Sequence, residues 1–291
     1  MRQADKEVTK LKVQSSRAIA YMFRNIIPLL MFAIIPALLL GFFGGDARAV
    51  VFADTVAKMW ANGGVVTDVT LGASMLENFT IVRFFNFEGL LALLGFVTYI
   101  FATGFILAMV ERHMRLGVRF SRTVIINAFS VLLRVGAFLL LLFVLDELFL
   151  MIVVGLVSMI ESIGASVRFV VACSLVLLVV AKLLYFSIVG LLLCSLPVSQ
   201  CDDYKLNVAM SYSARLMARR NNVVLSLVAM LFISNVVAFA LSYFLSEIAF
   251  LGDVVYCLYY LFWTMYLPCL SVKVYFEVAD EPRKDLEKQI F

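Results

Sequence analysis

Residues 135–160 read VGAFLLLLFVLDELFLMIVVGLVSMI, an apolar run whose only charged residues are Asp146 and Glu147. The hydrocarbon core of a bilayer is about 30 Å thick and requires about 20 apolar residues in a helix. The run is long enough, and it lacks the alternation of a membrane-spanning β-strand. A helix also satisfies its own backbone hydrogen bonds in hydrocarbon. We therefore expect a transmembrane helix here.

Five further apolar runs have a similar length. They cover residues 26–45, 89–110, 169–198, 222–246 and 254–272. The 291 residues are 64% apolar and only 15% charged, which leaves too little polar surface to cover a soluble globule. The sequence predicts an all-α membrane protein with six transmembrane helices, in which residues 1–291 form a single integral membrane domain.

A short spacing pattern recurs three times ahead of these runs. An alanine is followed, after five intervening residues, by an arginine that directly precedes an apolar run. The pairs are Ala18 and Arg24, Ala128 and Arg134, and Ala214 and Arg220. We therefore predict three helical hairpins built on internal repeats at about 15–112, 119–198 and 208–276, followed by a cytoplasmic tail at 277–291.

Each hairpin is predicted to begin with an amphipathic helix, which we call its lead helix. The clearest lead helix is residues 119–133, where a period of 100° per residue separates a polar arc from an apolar one. Its polar arc contains Arg119, Arg122, Thr123, Asn127 and Ser130, and its apolar arc contains Phe120, Val124, Ala128, Val131 and Leu132. Such a helix is suited to lie among lipid headgroups. The alternative is that the lead helix simply extends the following span.

The basic residues predict the orientation of the spans, because Lys and Arg are retained on the cytoplasmic side. Eighteen of the 24 basic residues fall at the N-terminus up to Arg24, in the connections 112–122 and 205–220, and at 273–288. Both termini are therefore expected in the cytoplasm, in a multi-pass arrangement. The net charge of +4 is modest, and its position beside spans favours anionic lipid headgroups over nucleic acid as a partner.

The long connection between the first two spans, residues 45–88, lies on the opposite side. It mixes apolar residues such as Val56, Met59 and Trp60 with scattered charges. Its 44 or so residues are fewer than a typical domain contains. We interpret it as an interfacial cap, with a substrate lid as the alternative.

Three charged residues lie within the apolar runs. If Arg134 marks the cytoplasmic end of the third span, Asp146 and Glu147 lie near the bilayer centre at a rise of 1.5 Å per residue. Lys182, fifteen residues before Pro197 on the next helix, lies at a similar depth. We therefore predict an intramembrane pair between Lys182 and Asp146 or Glu147, since an unpaired charge there costs about 2.5 to 3.5 kcal/mol.

Another placement of the third span leads to a different outcome. If the span covers about 124–145, Asp146 and Glu147 lie at the outer boundary and Arg134 lies within the membrane. Lys182 would then need another partner, or its side chain would extend to the interface.

Catalytic, cofactor and metal sites are not expected. The chain contains a single histidine, His113, so a multi-histidine metal site or relay cannot form. Its acidic pair Asp202 and Asp203 lacks a partner motif for metal-assisted phosphoryl chemistry. We interpret that pair as a solvated turn after Pro197.

One region resembles a known family. Leu196-Pro197, Asp202-Asp203, Ala209, Ser213 and Arg220-Asn221 resemble the YciC-like bacterial membrane proteins and the related membrane domain of some glycerophosphodiester phosphodiesterases. The resemblance is clearest at about 190–230. It implies a six-span helical protein of a bacterial cytoplasmic membrane. It does not imply phosphodiesterase activity, which belongs to a separate soluble barrel.

Three functions are compatible with these features. The first is a non-enzymatic accessory or scaffold protein whose lead helices contact membrane lipids, a membrane-protein partner or a second copy of the chain. The alternative is a small transporter or channel in which Lys182 and Asp146 or Glu147 line the pathway. A lipid-active enzyme is the third.

Overall fold

The computed structural model describes residues 17–44, 46–61, 71–80, 87–117, 122–245, 248 and 250–278. These residues form helices joined by short connections, and no strand occurs among them. Helix α1 covers residues 17–24. The others are α2 (Ile26–Phe43), α3 (Asp46–Ala61), α4 (Leu71–Phe79), α5 (Phe87–Leu116), α6 (Arg122–Ser162), α7 (Val167–Leu191), α8 (Ser195–Cys201), α9 (Leu206–Ala218), α10 (Asn221–Leu245) and α11 (Leu251–Val278).

Six segments are long and apolar enough to cross a membrane. They are Ile26–Phe43, Phe87–Leu116, Ile125–Ser162, Val167–Cys201, Asn221–Leu245 and Leu251–Glu277. Each contains most or all of one of the apolar runs in the sequence. The prediction of six helical spans is confirmed, and it indicates a multi-pass membrane protein. The third span is longer than predicted, because α6 begins well before residue 135.

The three predicted lead helices differ in how they join their spans. Helix α1 ends at Arg24 and α9 ends just before Arg219 and Arg220, so each is separated from its span by a turn. Helix α6 instead runs unbroken through Arg134, which matches the alternative in which the lead helix extends the following span. Asparagine follows Arg24 and Arg220, whereas valine follows Arg134. Asn25 donates from Nδ2 to the Tyr21 carbonyl at 3.0 Å, a local bond that competes with the helical ladder.

The six spans form a closed ring. Each of α2, α5, α6, α7 and α10 packs on the next span in the chain, and α11 packs back on α2. Helix α11 also contacts α5 across the ring. Two apolar cores result, a large one that involves all six spans and a smaller one where α3 and α4 pack on α6 and α7.

The two ends of the ring differ in charge. At one end, which we call the basic end, the Tyr21 hydroxyl lies 2.7 Å from Nδ1 of His113 and the Tyr275 hydroxyl donates to Asp202 at 2.9 Å. These contacts bring together α1, the end of α5, the turn after α8 and the end of α11. The described basic residues in these segments and in α9 with the turn after it are Arg17, Arg24, Arg112, Arg115, Lys205, Arg215, Arg219, Arg220 and Lys273. At the other end, the cap end, α3 and α4 cover the tips of α6 and α7.

Glu161 attaches α4 to the cap end. Its carboxylate accepts the backbone N–H groups of Leu71 at 2.6 Å and Gly72 at 3.1 Å, which are the first two residues of α4. These donors have no partner within the helix, and a carboxylate also interacts favourably with the positive end of the helix dipole.

We therefore expect Glu161→Ala to destabilise α4 by about 1 kcal/mol, the usual effect of removing an N-terminal cap. Hydrogen exchange at the Leu71 and Gly72 amides should accelerate about five-fold. Glu77→Ala, which removes an exposed carboxylate from the same helix, is the control. Equal exchange rates in Glu161→Ala and wild type would contradict the capping role.

Candidate functional site

The geometry of the α6–α7 hairpin brings Lys182 to the level of Asp146. The connection includes Gly164, whose φ of +75° favours glycine and ends α6 sharply. Sixteen residues separate Asp146 from Ser162 at the end of α6, and fifteen separate Val167 at the start of α7 from Lys182. Both side chains are therefore about 23 Å from the hairpin tip at 1.5 Å per residue.

Lys182 and Asp146 form an ion pair inside the ring. The Lys182 ammonium donates to both Asp146 oxygens, with Nζ at 2.7 Å from Oδ1 and 2.9 Å from Oδ2. The side chains are 31% and 23% exposed, so the pair is accessible without lying on the surface. Nζ also lies 5.6 Å from the centroid of the Tyr185 ring, within range of a cation–π interaction.

Glu147 occupies a different environment. Consecutive residues in a helix point 100° apart, so only one of the two acidic residues can face α7 at this level. Glu147 is buried, with 7% of its surface exposed, and it is not among the described residues that line the cavity around Lys182. Of the two partners left open by the sequence, the structure places Asp146 beside Lys182.

A cavity of about 580 Å³ lies within the ring, next to the ion pair. Its size is typical of sites that bind drug-sized molecules. Described residues of all six spans line it, from Ala92 to Leu107 on α5 and from Tyr256 to Ser271 on α11. Each of these stretches is about 22 Å long, so the cavity extends along these two helices.

The walls are mainly aromatic and aliphatic. Aromatic lining residues are Phe96, Tyr99, Phe138, Phe143, Tyr185, Phe186, Phe232, Phe239, Tyr256, Tyr259, Tyr260 and Trp263. Besides the ion pair, Asn235 donates to the Tyr259 hydroxyl at 3.4 Å. The other lining residues with a hydroxyl group are Tyr99, Thr103, Tyr185, Tyr256, Tyr260, Thr264 and Ser271. The indole N–H of Trp263, which is 5% exposed, has no acceptor among the described residues. The cavity can hold an apolar body and offers a few hydrogen-bonding groups.

From the exposure of cavity-lining residues on both helices, we infer a fissure between α7 and α10 that opens this cavity sideways. Near the basic end the two helices are in close contact, since a methyl group on Gly190 would lie 3.0 Å from Cγ1 of Val224. Towards the cap end Leu175, Val179 and Val236 line the cavity and are nevertheless 46%, 43% and 46% exposed. The fissure lies on the flank of two of the helices that are long and apolar enough to cross a membrane.

The repeat arginines lie away from the ion pair. Arg24 and Arg220 are exposed at the breaks that follow α1 and α9. Arg134 donates to the Ser199 carbonyl at 2.8 Å and pairs with Asp203 at 2.7 Å. Because Tyr275 bonds the neighbouring Asp202, this acidic turn connects α6 with α11. The interpretation of Asp202 and Asp203 as merely solvated misses these two contacts.

The aromatic wall is the main feature that sequence reasoning missed. Residues 256–266 read YCLYYLFWTMY, in which six of eleven residues are aromatic. Such a density within one span was a usable signal for a binding surface, although tyrosine and tryptophan also concentrate at membrane interfaces.

Comparison with known proteins finds no match for this chain among protein-family models, curated proteins or solved structures.

Proposed function

We propose that this protein is a non-enzymatic carrier that moves an amphiphilic molecule across the membrane by way of the central cavity. The observation that supports this is the 580 Å³ cavity beside the Lys182–Asp146 pair. A charged pair within a span is costly, and such pairs mark substrate or ion pathways in transporters. Mainly apolar walls favour cargo that is apolar over most of its length.

The proposed orientation places the basic end in the cytoplasm. Positively charged segments remain on that side, and α1 and the end of α11 both belong to the basic end. The resemblance to the YciC-like proteins favours a bacterial cytoplasmic membrane. In this arrangement the spans are three hairpins, and α1 and α9 are lead helices at the cytoplasmic interface.

Transbilayer movement of labelled lipids tests the carrier function. Proteoliposomes would contain a trace of a single-chain lysophospholipid with a fluorophore on its acyl chain, and dithionite added outside destroys the fluorophores of the outer leaflet. We expect the protein to increase the destroyed fraction beyond the outer-leaflet share seen in empty vesicles. A Lys182→Met/Asp146→Asn protein, which has no charged pair, should move the probe at least ten-fold more slowly.

Two outcomes would overturn the carrier. One is a destroyed fraction equal to that of empty vesicles for the single-chain probe and for a two-chain phosphatidylcholine probe. The other is equal rates for wild type and the double variant, because the ion pair would then have no role in movement.

An accessory role is the second candidate, and it is favoured by the surface of α9. Val208 and Tyr212 are 47% and 44% exposed on this helix, close to the exposed Arg215. Apolar, aromatic and basic side chains exposed together are typical of a helix in the headgroup region or against a partner. Isolation of a stable membrane complex from cells, together with no lipid movement in vesicles, would favour this role over the carrier.

A further inference from the structure

The Lys182–Asp146 pair restricts what can bind beside it, because the pair has no net charge. An anion that contacts Lys182 either lies next to the Asp146 carboxylate or replaces it. Two adjacent anions in an apolar cavity repel each other strongly, and burial of an uncompensated charge is costly. The less costly route adds a proton to Asp146, so that Lys182 keeps one anionic partner.

We propose that the cavity binds a single-chain amphiphile with an anionic head, and that each head bound to Lys182 is accompanied by one proton taken up by Asp146. This inference rests on the proposed carrier function, because it names the cargo of the same cavity. The oxyanion of the head replaces the Asp146 carboxylate as the acceptor for Lys182 Nζ. The proton bonds to an Asp146 oxygen, so the cavity remains neutral overall.

The shape of the cavity supports a single hydrocarbon chain. Its lining extends about 22 Å along α5 and α11 at 1.5 Å per residue, and its volume is about 580 Å³. Its walls include side chains such as Phe239, Tyr259 and Tyr260, which suit an elongated apolar cargo. A sugar or a nucleotide would bury more polar groups against these mainly apolar walls than a hydrocarbon chain would, which is unfavourable.

The fissure between α7 and α10 supports entry of the cargo from the membrane. Val179 and Val236 lie at about the same level beside it, because α7 and α10 are antiparallel and Gly190 lies against Val224. An acyl chain already dissolved in the bilayer can enter sideways without exposing its methylene groups to water.

Trp263 provides an independent indication of a ligand oxygen at the depth of Lys182. Gly190 on α7 lies against Val224 on α10, and counting along these antiparallel helices places Lys182 level with Phe232. The bond between Asn235 and Tyr259 in turn places Phe232 level with the α11 residue next to Trp263. The indole N–H of Trp263 has no acceptor among the described residues and is 95% buried on the cavity wall. A ligand oxygen bound at this depth is therefore a candidate acceptor for the indole N–H.

Asp146 is the group that can take up the proton. The described ionisable residues that share its cavity are Lys182, Tyr185, Tyr99, Tyr256, Tyr259 and Tyr260. Tyrosine hydroxyls are uncharged near neutral pH, so Lys182 is the charged group opposite Asp146. Glu147 is buried outside the described lining. Arg134 and Glu161 lie about 18 and 22 Å away along α6.

Fluorescence of Trp263 tests the inference directly. The chain has two tryptophans, so Trp60→Phe leaves Trp263 as the only emitter. The probe is an alkyl sulfonate with bromine atoms near the head, which quench indole on contact. A sulfonate stays ionised throughout the pH range, so any pH dependence comes from the protein. Trp263→Phe, which leaves Trp60 on the cap, is the control and should show no saturable quenching.

We expect saturable quenching, and the Kd for the sulfonate should fall up to ten-fold for each unit decrease in pH as long as Asp146 is charged in the free protein. Uptake of one proton on binding requires this dependence. Asp146→Asn imitates the protonated carboxyl group, so its Kd should be low and independent of pH. Lys182→Met/Asp146→Asn should bind at least ten-fold more weakly than Asp146→Asn. A pH-dependent Kd in Asp146→Asn, a pH-independent Kd in the parent protein, or equal affinity of the single and double variants would overturn the inference.

Two valines on α7 provide a test that leaves the ion pair intact. Val179 lines the cavity at the fissure, whereas Val176 is 62% exposed and lies outside the described lining. Val179→Phe should raise the Kd for the sulfonate at least ten-fold, and Val176→Phe should leave it unchanged; equal effects would contradict binding in this cavity. Lipid movement without proton-linked binding would overturn this inference and leave the carrier function intact. Proton-linked binding without lipid movement would overturn the carrier function and leave the binding inference intact.

Discussion

Lys182→Met should destabilise the protein by about 2 kcal/mol, because the substitution leaves the Asp146 carboxylate without its cation in a mainly apolar cavity. Removing one member of a fully buried ion pair costs about 3 to 5 kcal/mol. We expect less here because the side chains are 31% and 23% exposed. Unfolding in mixed micelles with increasing SDS would measure the loss of unfolding free energy. Chemical denaturation of the parent protein would provide the reference value of that free energy.

A second substitution distinguishes the effect of breaking the ion pair from the effect of removing the lysine side chain itself. Asp146→Asn in the Lys182→Met protein removes the uncompensated charge, so it should restore at least half of the lost stability. Lys58→Met is the matched control, since Lys58 pairs with Asp54 on α3 with side chains 68% and 51% exposed. An exposed pair contributes about 0 to 1 kcal/mol. If the double variant is as unstable as Lys182→Met, coupling between Lys182 and Asp146 does not stabilise the fold.

The sequence was sufficient to predict the spans, because long apolar runs leave little alternative to membrane-spanning helices. One of the two placements of the third span that the sequence left open also predicted that Lys182 lies level with Asp146. The choice between Asp146 and Glu147 could not be made in this way, because it depends on which face of α6 is directed towards α7.

The cavity lay beyond prediction for a different reason. It depends on contacts between spans that are far apart in the chain, such as α2 with α11 and α7 with α10. No local pattern specifies those neighbours, so the presence of Trp263 and Lys182 on the wall of one cavity could not be deduced. The prediction of a separate second lead helix is wrong, because α6 runs unbroken through Arg134. Valine follows Arg134, whereas asparagine follows Arg24 and Arg220.

Gly41→Leu should have the other large effect, a loss of about 3 kcal/mol or failure to fold. Ala33, Ala37 and Gly41 are buried at intervals of four residues on α2, and small residues at this spacing let membrane helices approach closely. A Cβ at Gly41 would lie 2.6 Å from the backbone nitrogen and 2.7 Å from the Cα of Cys257 on α11. These are backbone atoms, so a clash with them requires movement of a whole helix.

Gly155 offers the matched comparison, since it lies in a span, is exposed, and a methyl group added to it would have no atom within 4 Å. Gly155→Leu should therefore leave the SDS unfolding midpoint unchanged or raise it, because leucine favours a helix by nearly 1 kcal/mol over glycine. The same substitution at Gly41 must separate α2 from α11. The contact between these two helices is the one that closes the ring around the cavity. Gly41→Ala should be intermediate, and equal midpoints for Gly41→Leu and Gly155→Leu would show that the first and last spans are not packed as described.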